Sequence, residues 1–286
     1  MATVLGVWVL ISQREQALEA ISHLRWQHLV IALVAGVGTV LCSAMIWRTV
    51  LADLGDRLPL VSAGEIFLLG QLGKYLPGSV WPMLMQAQIG SRHGVSKRRT
   101  VATSVITLLI SIAAGSLLIA VTWPLRPDVG GGTRWLAVLV VPAVAVLYPP
   151  VLQRVLDAGL RAVRREPLGS RTTLRGTASA AAWSLLGWCC SGALVLALAV
   201  PLGLPWGLDS AALAFGGYAL AWLAGLIVVI APAGAGAREG ALVAVLATAL
   251  PTAAGLVVAL VARLMFTVAD LLLAALVVIV VRRTGD

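Results

Sequence analysis

The stretch "LGQLGKYLPGSVWPMLMQAQ", residues 69–88, begins as an apolar helix and then changes character. Lys74, one of only two lysines in the chain, lies within it, and Pro77 and Gly78 follow shortly after. A proline has no backbone N–H to donate and disrupts a helix around it, so we expect the helix to end here. The stretch therefore predicts a short helix that stops inside apolar sequence with a cation near its end.

The composition of the whole chain indicates that lipid surrounds this stretch. The 286 residues are 60% hydrophobic and 12% charged, and a soluble domain of this length could not bury so much apolar surface. The net charge of +9 would suggest nucleic acid in a soluble protein. Here the basic residues concentrate between apolar runs, where they contact headgroups and orient helices. We expect an all-α, polytopic protein of the plasma membrane that binds no nucleic acid.

Apolar runs long enough to cross about 30 Å of hydrocarbon predict a single transmembrane domain of about six spans. Residues 1–12 are apolar but short for a span. Two regions, 63–89 and 213–250, are interrupted, the first at Pro77-Gly78 and the second within "APAGAGAREG". Five runs are continuous: 26–51, 100–123, 135–152, 176–200 and 255–281. Tryptophans near run ends resemble an interfacial aromatic belt: Trp26, Trp47, Trp123, Trp135 and Trp206.

The charges of the loops predict the orientation of the chain. Residues 91–100 hold four basic residues and no acid, and residues 154–175 hold six arginines against two acids. The C-terminus carries Arg282 and Arg283, whereas residues 126–134 and 201–209 are nearly neutral. By the positive-inside rule the basic loops and both termini are cytoplasmic.

This orientation predicts an inverted repeat. Residues 63–89 would enter and leave at the cytoplasmic face within a first repeat, 26–123. Residues 213–250 would enter from the external face within a second repeat, 176–281. Such paired interruptions are typical of a transporter's binding site near the midplane. An offset of 155 residues aligns Pro77 with Pro232 and Gly70 with Gly225; the alternative is two ordinary spans with proline kinks.

Ionisable side chains in the apolar regions need partners or water, because a charge at the bilayer centre costs about 2.5–3.5 kcal/mol. Lys74 could stabilise helix carbonyls or reach an interface, but near a midplane apex we expect it to face a cavity. Arg238 follows a glycine-rich break whose free N–H groups favour an anion, so we predict an anion site there. For Glu239 a favourable interaction with the helix dipole is an equal alternative.

Arg263 and Asp270 stand two turns apart on one helix face. We expect each to reach a different neighbour, either in a salt bridge or at a ligand. The candidate bridges are Arg263 with Glu239 and Asp270 with Arg238. Glu65 is interpreted as a carboxylate at the start of a helix, where the dipole stabilises it.

The chain carries no catalytic pattern that we recognise. There is no phosphate-binding loop, nucleophile elbow or paired carboxylate set, so we predict no enzyme activity, cofactor or metal. His93 in a basic loop is interpreted as solvated. The cysteines lie within apolar runs without metal-ligand spacing and are interpreted as small apolar filler: Cys42, Cys189 and Cys190.

Two segments, "GQLGKYLPGSVWP" at residues 70–82 and "PAGAGAREGALVAVL" at residues 232–246, with Arg263 and Asp270 downstream, resemble the lysylphosphatidylglycerol synthase transmembrane-region family. The resemblance covers nearly the whole chain. It implies two inverted re-entrant elements and translocation of a lipid with an anionic headgroup. It also implies the site residues Lys74, Pro77, Gly78, Trp81, Gly234, Gly236, Arg238 and Glu239.

The chain departs from that family in two respects. The second motif often has two glycines after its proline, whereas Ala233 precedes Gly234 here. The soluble aminoacyl-transferase domain of the synthases is not present in this sequence, so we do not expect synthesis of lysyl-phosphatidylglycerol.

The expected function is a flippase for an anionic phospholipid or a polyprenyl-phosphate lipid. Lys74 and Arg238 would neutralise the phosphate, and Glu239 and Asp270 would orient the arginines and could couple transport to protons. The alternative is a membrane partner of a cell-envelope enzyme, with the charges serving only as internal salt bridges. An enzyme acting on lipid phosphate and an ion channel fit the sequence less well.

Overall fold

The computed structural model describes residues 14–76, 80–125, 138, 140–162, 171–227 and 236–284. Pro77, Gly78, Pro232, Gly234 and the apolar run at residues 1–12 lie outside the described residues. The described elements are all helical. In chain order the α-helices are α1 (Arg14–His23), α2 (Trp26–Asp53), α3 (Leu60–Gln71), α4 (Trp81–Arg92), α5 (Lys97–Thr122), α6 (Val140–Leu147), α7 (Pro149–Ala162), α8 (Leu174–Ala199), α9 (Leu208–Ile227), α10 (Ala237–Leu246) and α11 (Thr252–Thr284).

Four of these helices are long and apolar enough to cross a membrane. They are α2, α5, α8 and α11, and short 3-10 turns extend α5 to Leu125 and α8 to Leu202. Their apolar windows have mean hydropathies of 2.1 to 2.8. The part of the chain that is described therefore holds four spans, or five if one bent helix pair is counted, against about six expected.

The bent pair is α6 and α7, and it corrects the continuous run predicted at residues 135–152. The two helices meet at an angle of 88°. Pro149 and Pro150 begin α7, and a proline disfavours helical backbone in the residue before it and offers no N–H to the preceding turn. The chain therefore turns at Tyr148. Beyond the turn, Leu152 and Leu156 of α7 are buried against α2 and α5.

The first interrupted region folds as an antiparallel hairpin of α3 and α4. A Cβ atom added to Gly73 would lie 2.8 Å from the Pro82 nitrogen, and one added to Gly70 would lie 3.1 Å from the Gln86 nitrogen. Further from the tip, one added to Gly90 would lie 3.8 Å from a methyl group of Ile66. Each arm has 12 residues and a length of about 18 Å. Neither arm alone can cross about 30 Å of hydrocarbon.

The second interrupted region also folds back on itself, as a hairpin of α9 and α10. A Cβ atom added to Gly225 would lie 3.4 Å from the Arg238 Cα, and one added to Gly217 would lie 2.5 Å from a methyl group of Val245. The end of α9 contacts the start of α10 and the middle of α9 contacts the end of α10, so the two helices are antiparallel. Helix α9 has 20 residues and α10 has 10. Neither interrupted region is a single kinked helix.

Several helix ends gather at one end of the bundle. Asp53, at the end of α2, accepts hydrogen bonds of 2.7 and 2.6 Å from the backbone N–H and the hydroxyl of Thr173, just before α8. Asp56 forms an ion pair with Arg99 at the start of α5. Val277, late in α11, packs against Gly64 of α3. The basic segments that begin α5 and α8 and end α11 therefore lie at the same end of the molecule.

Three of the tryptophans predicted to lie near span ends differ in exposure, and a fourth, Trp135, lies outside the described residues. Trp26 is 71% exposed and Trp206 is 79% exposed, as expected for rings at helix ends. Trp47 was predicted to join them, but it is fully buried and its indole N–H donates to the Ser104 hydroxyl at 3.2 Å. The prediction for Trp47 was wrong because α2 continues to Asp53, so the ring lies well inside the helix.

Candidate functional site

A cavity of about 530 Å³ lies between the tips of the two hairpins and the four long helices. The lining includes residues 39–47 of α2, 104–111 of α5, 184–191 of α8 and 259–270 of α11. Each of these segments is near the middle of its helix. The cavity therefore lies near the middle of the four long helices.

Lys74 reaches this cavity from the tip of the first hairpin. It lies in the 3-10 turn Leu72–Tyr75 that ends α3. Its Nζ is 2.6 Å from Oδ2 of Asp270 on α11, and the Tyr75 hydroxyl donates to the same oxygen at 2.6 Å. The Asp270 side chain is 2% exposed and that of Lys74 is 29% exposed. The hairpin tip is thus tied to α11 by a buried carboxylate that accepts two donors.

This pairing corrects one predicted alternative. Asp270 was expected to pair with Arg238 if it formed a salt bridge, but its partner is Lys74. The pair joins two residues almost two hundred positions apart, and only the fold of the first hairpin against α11 brings them together. The sequence alone gave no indication of that contact.

Arg263 and Glu239 form the other ion pair of the cavity, as one predicted alternative proposed. Arg263 donates to Oε1 of Glu239 at 2.6 Å. The other carboxylate oxygen, Oε2, accepts the backbone N–H of Gly236 at 2.6 Å. Gly236 has φ +88°, a conformation that glycine adopts without strain. Glu239 therefore caps the start of α10 and neutralises Arg263 at the same time.

Arg238 is held differently from the other two cations. Its guanidinium carbon lies 4.7 Å from the ring centroid of Tyr218 and 5.4 Å from that of Phe266. These rings stack on each other at 5.6 Å. Among the described residues, no carboxylate lies within 4.0 Å of Arg238 and none accepts a hydrogen bond from its guanidinium. Arg238 is thus positioned by aromatic faces while its N–H donors remain available.

The charges that line the cavity do not cancel. The described lining contains three cations, Lys74, Arg238 and Arg263, and two carboxylates, Glu239 and Asp270. Each carboxylate is paired with one cation, so one positive charge is left. That charge belongs to Arg238, whose guanidinium has the donor geometry that suits an anion.

Other candidate residues lie outside the cavity. Trp81 is 42% exposed and lines a shallow groove on the outer face of α4 and α5. Gly236 shapes the start of α10 without lining the cavity. Glu65 and His93 were interpreted as a helix-start carboxylate and a solvated ring, but they pair at 2.9 Å. Glu65 lies beyond the first turn of α3, so the ring opposite it supplies its partner.

Aromatic residues are the part of the site that the sequence did not single out. Tyr75, Tyr218 and Phe266 contact the charged groups directly. Tyr75 could have been predicted as a cavity residue from its position beside Lys74. Tyr218 and Phe266 lie in apolar runs, where an aromatic ring has no distinctive pattern.

Comparison with protein families gives a match over nearly the whole chain. The family described as the lysylphosphatidylglycerol synthase TM region matches residues 1–274. The match includes both hairpins and every charged residue of the cavity. Among curated proteins, no relative matches the chain at a significant level.

Proposed function

Because the chain belongs to the lysylphosphatidylglycerol synthase TM-region family, we propose that it moves an anionic lipid between the leaflets of the plasma membrane. The observation that carries this proposal is Arg238, a cation at mid-bundle depth with aromatic support and no carboxylate partner among the described residues. An arginine side chain at that depth costs free energy unless it binds a ligand or pairs with another residue. A lipid phosphate can accept two hydrogen bonds from the N–H groups of the Arg238 guanidinium.

The two hairpins suggest how access to the cavity could alternate. In our proposal they enter from opposite faces, the first from the cytoplasm and the second from outside, within two inverted repeats. Rocking of one repeat against the other around a fixed site would open the cavity to each side in turn. The Lys74–Asp270 pair links the first hairpin to α11, so a headgroup that competes for Lys74 would loosen that link.

A lipid also needs a path for its apolar tails. Val80, near the tip of the first hairpin, lines the cavity and is 57% exposed. Leu76 beside it is 46% exposed. These side chains offer apolar contact between the polar chamber and the surrounding hydrocarbon. The tails would stay in lipid while the headgroup crosses. The driving force would be a gradient or consumption of the lipid on the far side.

The test is flipping of fluorescent phosphatidylglycerol in proteoliposomes. Arg238→Gln is expected to slow flipping about 10-fold or more, because a hydrogen bond to a charged group contributes about 1.5–3 kcal/mol. Arg154→Gln, on the exposed face of α7, is the matched control and should flip at the unaltered rate. Unchanged flipping in Arg238→Gln combined with Lys74→Ala would reject this cavity as the lipid site.

A scaffold role remains the second candidate, because two of the three cations are already neutralised inside the protein. It would make the protein a membrane partner of a cell-envelope enzyme. It predicts stable association with a glycosyltransferase or synthase and no flipping by the purified protein. It gives no account of why Arg238 has no carboxylate partner among the described residues.

A further inference from the structure

The groove on the outer face of α4 and α5 is separate from the central cavity. Its volume is about 440 Å³, within the usual range of small-molecule sites. None of its lining residues also lines the central cavity. The lining side chains on which the argument depends are Trp81, Leu84, Met85 and Gln88 of α4, and Lys97 and Val101 of α5.

Helix α4 forms the groove with the face that it turns away from the cavity. On the cavity side, Gln86 is buried and accepts a hydrogen bond from the Ser104 hydroxyl of α5 at 2.5 Å. On the other side, the small Ala87 side chain is 5% exposed, whereas Leu84 is 51% exposed and Trp81 is 42% exposed. The larger side chains thus project around a low floor, which makes the surface concave.

The groove changes from polar to apolar along its length. Lys97 begins α5 and Gln88 lies in the second half of α4, and both are exposed. They lie toward the same end of the groove, because α4 and α5 are antiparallel neighbours joined by a short loop. From Gln88 the apolar side chains continue to Trp81 near the hairpin tip, a rise of about 10 Å. That distance is about two thirds of the hydrocarbon of one leaflet.

The polar end of the groove is positively charged. Two carboxylates at this end of the bundle already have partners. Asp56 pairs with Arg99, and Glu65 pairs with His93 at 2.9 Å. Among the described residues no carboxylate lies within 4.0 Å of Lys97. The Lys97 ammonium is therefore complementary to an anionic headgroup, and a lysine near a membrane surface attracts anionic lipid.

We propose that this groove binds one anionic phospholipid of the leaflet at the basic end of the bundle. The phosphate contacts Lys97, the Gln88 amide donates to a headgroup or ester oxygen, and one acyl chain lies along α4 as far as Trp81. This lipid stays bound and is not transported. The inference therefore goes beyond the proposed function and does not depend on it. The lipid contacts both α4 and α5, so it holds the second arm of the first hairpin against the bundle.

The experiment is photolabelling of the unaltered protein in phosphatidylcholine nanodiscs. A minor fraction of the lipid is phosphatidylglycerol with a diazirine in one acyl chain, and labelled residues are mapped by mass spectrometry. We expect labelling within residues 81–88. Phosphatidylcholine with the same diazirine tail should label these residues about fivefold less, because it lacks the net negative charge that Lys97 attracts.

Three variants test the role of Lys97. Lys97→Gln should lower labelling by the phosphatidylglycerol probe about fivefold and leave labelling by the phosphatidylcholine probe unaltered. Lys97→Arg keeps the charge and should keep the labelling. Arg175→Gln is the matched control, because Arg175 is an exposed cation in the first turn of α8 and does not line the groove. It should label as the unaltered protein does.

Each other outcome overturns the inference in a recognisable way. Equal labelling by the two probes, or no loss in Lys97→Gln, would mean that the groove contacts only bulk lipid. Labelling in nanodiscs that hold one copy of the protein, lost in nanodiscs that hold two, would assign the groove to a second copy of this chain. Flipping is not the readout, so a protein that flips no lipid but labels as expected would overturn the proposed function alone.

Discussion

Lys74 and Asp270 form an ion pair whose two side chains are exposed to different degrees. The Asp270 side chain is 2% exposed, whereas 29% of the Lys74 side chain is exposed. Removing one partner of a buried pair destabilises a protein mainly through the charge that stays behind without compensation. The two single substitutions should therefore have unequal effects.

We expect Lys74→Met to be the more damaging substitution, lowering the free energy of unfolding by about 3 kcal/mol, since it leaves a buried carboxylate. Asp270→Asn leaves an ammonium with access to the cavity and should cost about 1 kcal/mol. Thermal unfolding in detergent measures both. The double variant Lys74→Met with Asp270→Asn should recover part of the loss. Equal losses in the two single variants would mean that Asp270 is not buried.

The sequence predicted which charged residues face the interior better than it predicted their partners. Lys74, Arg238, Arg263 and Asp270 all line the cavity, because a charge inside apolar sequence must face protein or water. The pairing of Lys74 with Asp270 depends on how a hairpin docks against a distant helix, which no local pattern records. Trp81 does not line the cavity, whereas Pro82 does, since neighbouring residues on a helix point about 100° apart; the role of Trp81 at a site stays a prediction.

At the scale of elements, the first hairpin depends on a close approach between its arms. A Cβ atom on Gly73 would lie 2.8 Å from both the Pro82 nitrogen and the Trp81 carbonyl carbon. These are backbone atoms and cannot swing aside as a flexible side chain would. The narrow spacing of the arms near the tip is what points Lys74 toward α11.

Gly73→Ala should therefore splay the hairpin, with a loss of about 1–3 kcal/mol in unfolding free energy and reduced flipping. Gly240→Ala is the control, because nothing lies within 4 Å of a Cβ atom there. Alanine in a helix is favoured over glycine by about 1 kcal/mol, so this variant should melt at an unchanged or higher temperature. Identical melting of the two variants would contradict the close approach.

The interruptions of the two apolar regions could be predicted because proline and clustered glycines mark helix breaks in any context. The positions of helix ends could not. The run at residues 135–152 was read as one span from its hydropathy, yet Pro149 and Pro150 turn the chain by 88°. An apolar run indicates that a segment lies in an apolar environment, but it does not indicate whether the backbone of that segment is straight.

At the scale of the whole molecule, loop charge was the most informative signal. Basic segments far apart in the sequence were assigned to one side of the membrane, and the structure brings the starts of α5 and α8 and the end of α11 to one end of the bundle. This grouping follows from helix lengths and loop charges alone. Which face of the membrane that end occupies, and whether the repeats are inverted, stay predictions.

Cysteine labelling from outside the cell tests this orientation. In a background where Cys42, Cys189 and Cys190 are replaced by alanine, Ser91→Cys should react with a membrane-impermeant maleimide only after permeabilisation. Gly207→Cys should react in intact cells, because it lies in the nearly neutral loop before α9. Both positions are exposed, so folding should not mask either thiol.

The labelling pattern also decides between two different failures. If the accessibilities are exchanged, the chain is inserted in the opposite direction, but the hairpins still enter from opposite faces and a central site remains possible. If both thiols label from the same side, the chain crosses the membrane an even number of times between them, so α5, the segment between α5 and α8, and α8 cannot each cross once. The inverted repeat would then be wrong, and with it the alternating access that lets Arg238 meet a lipid phosphate from either leaflet.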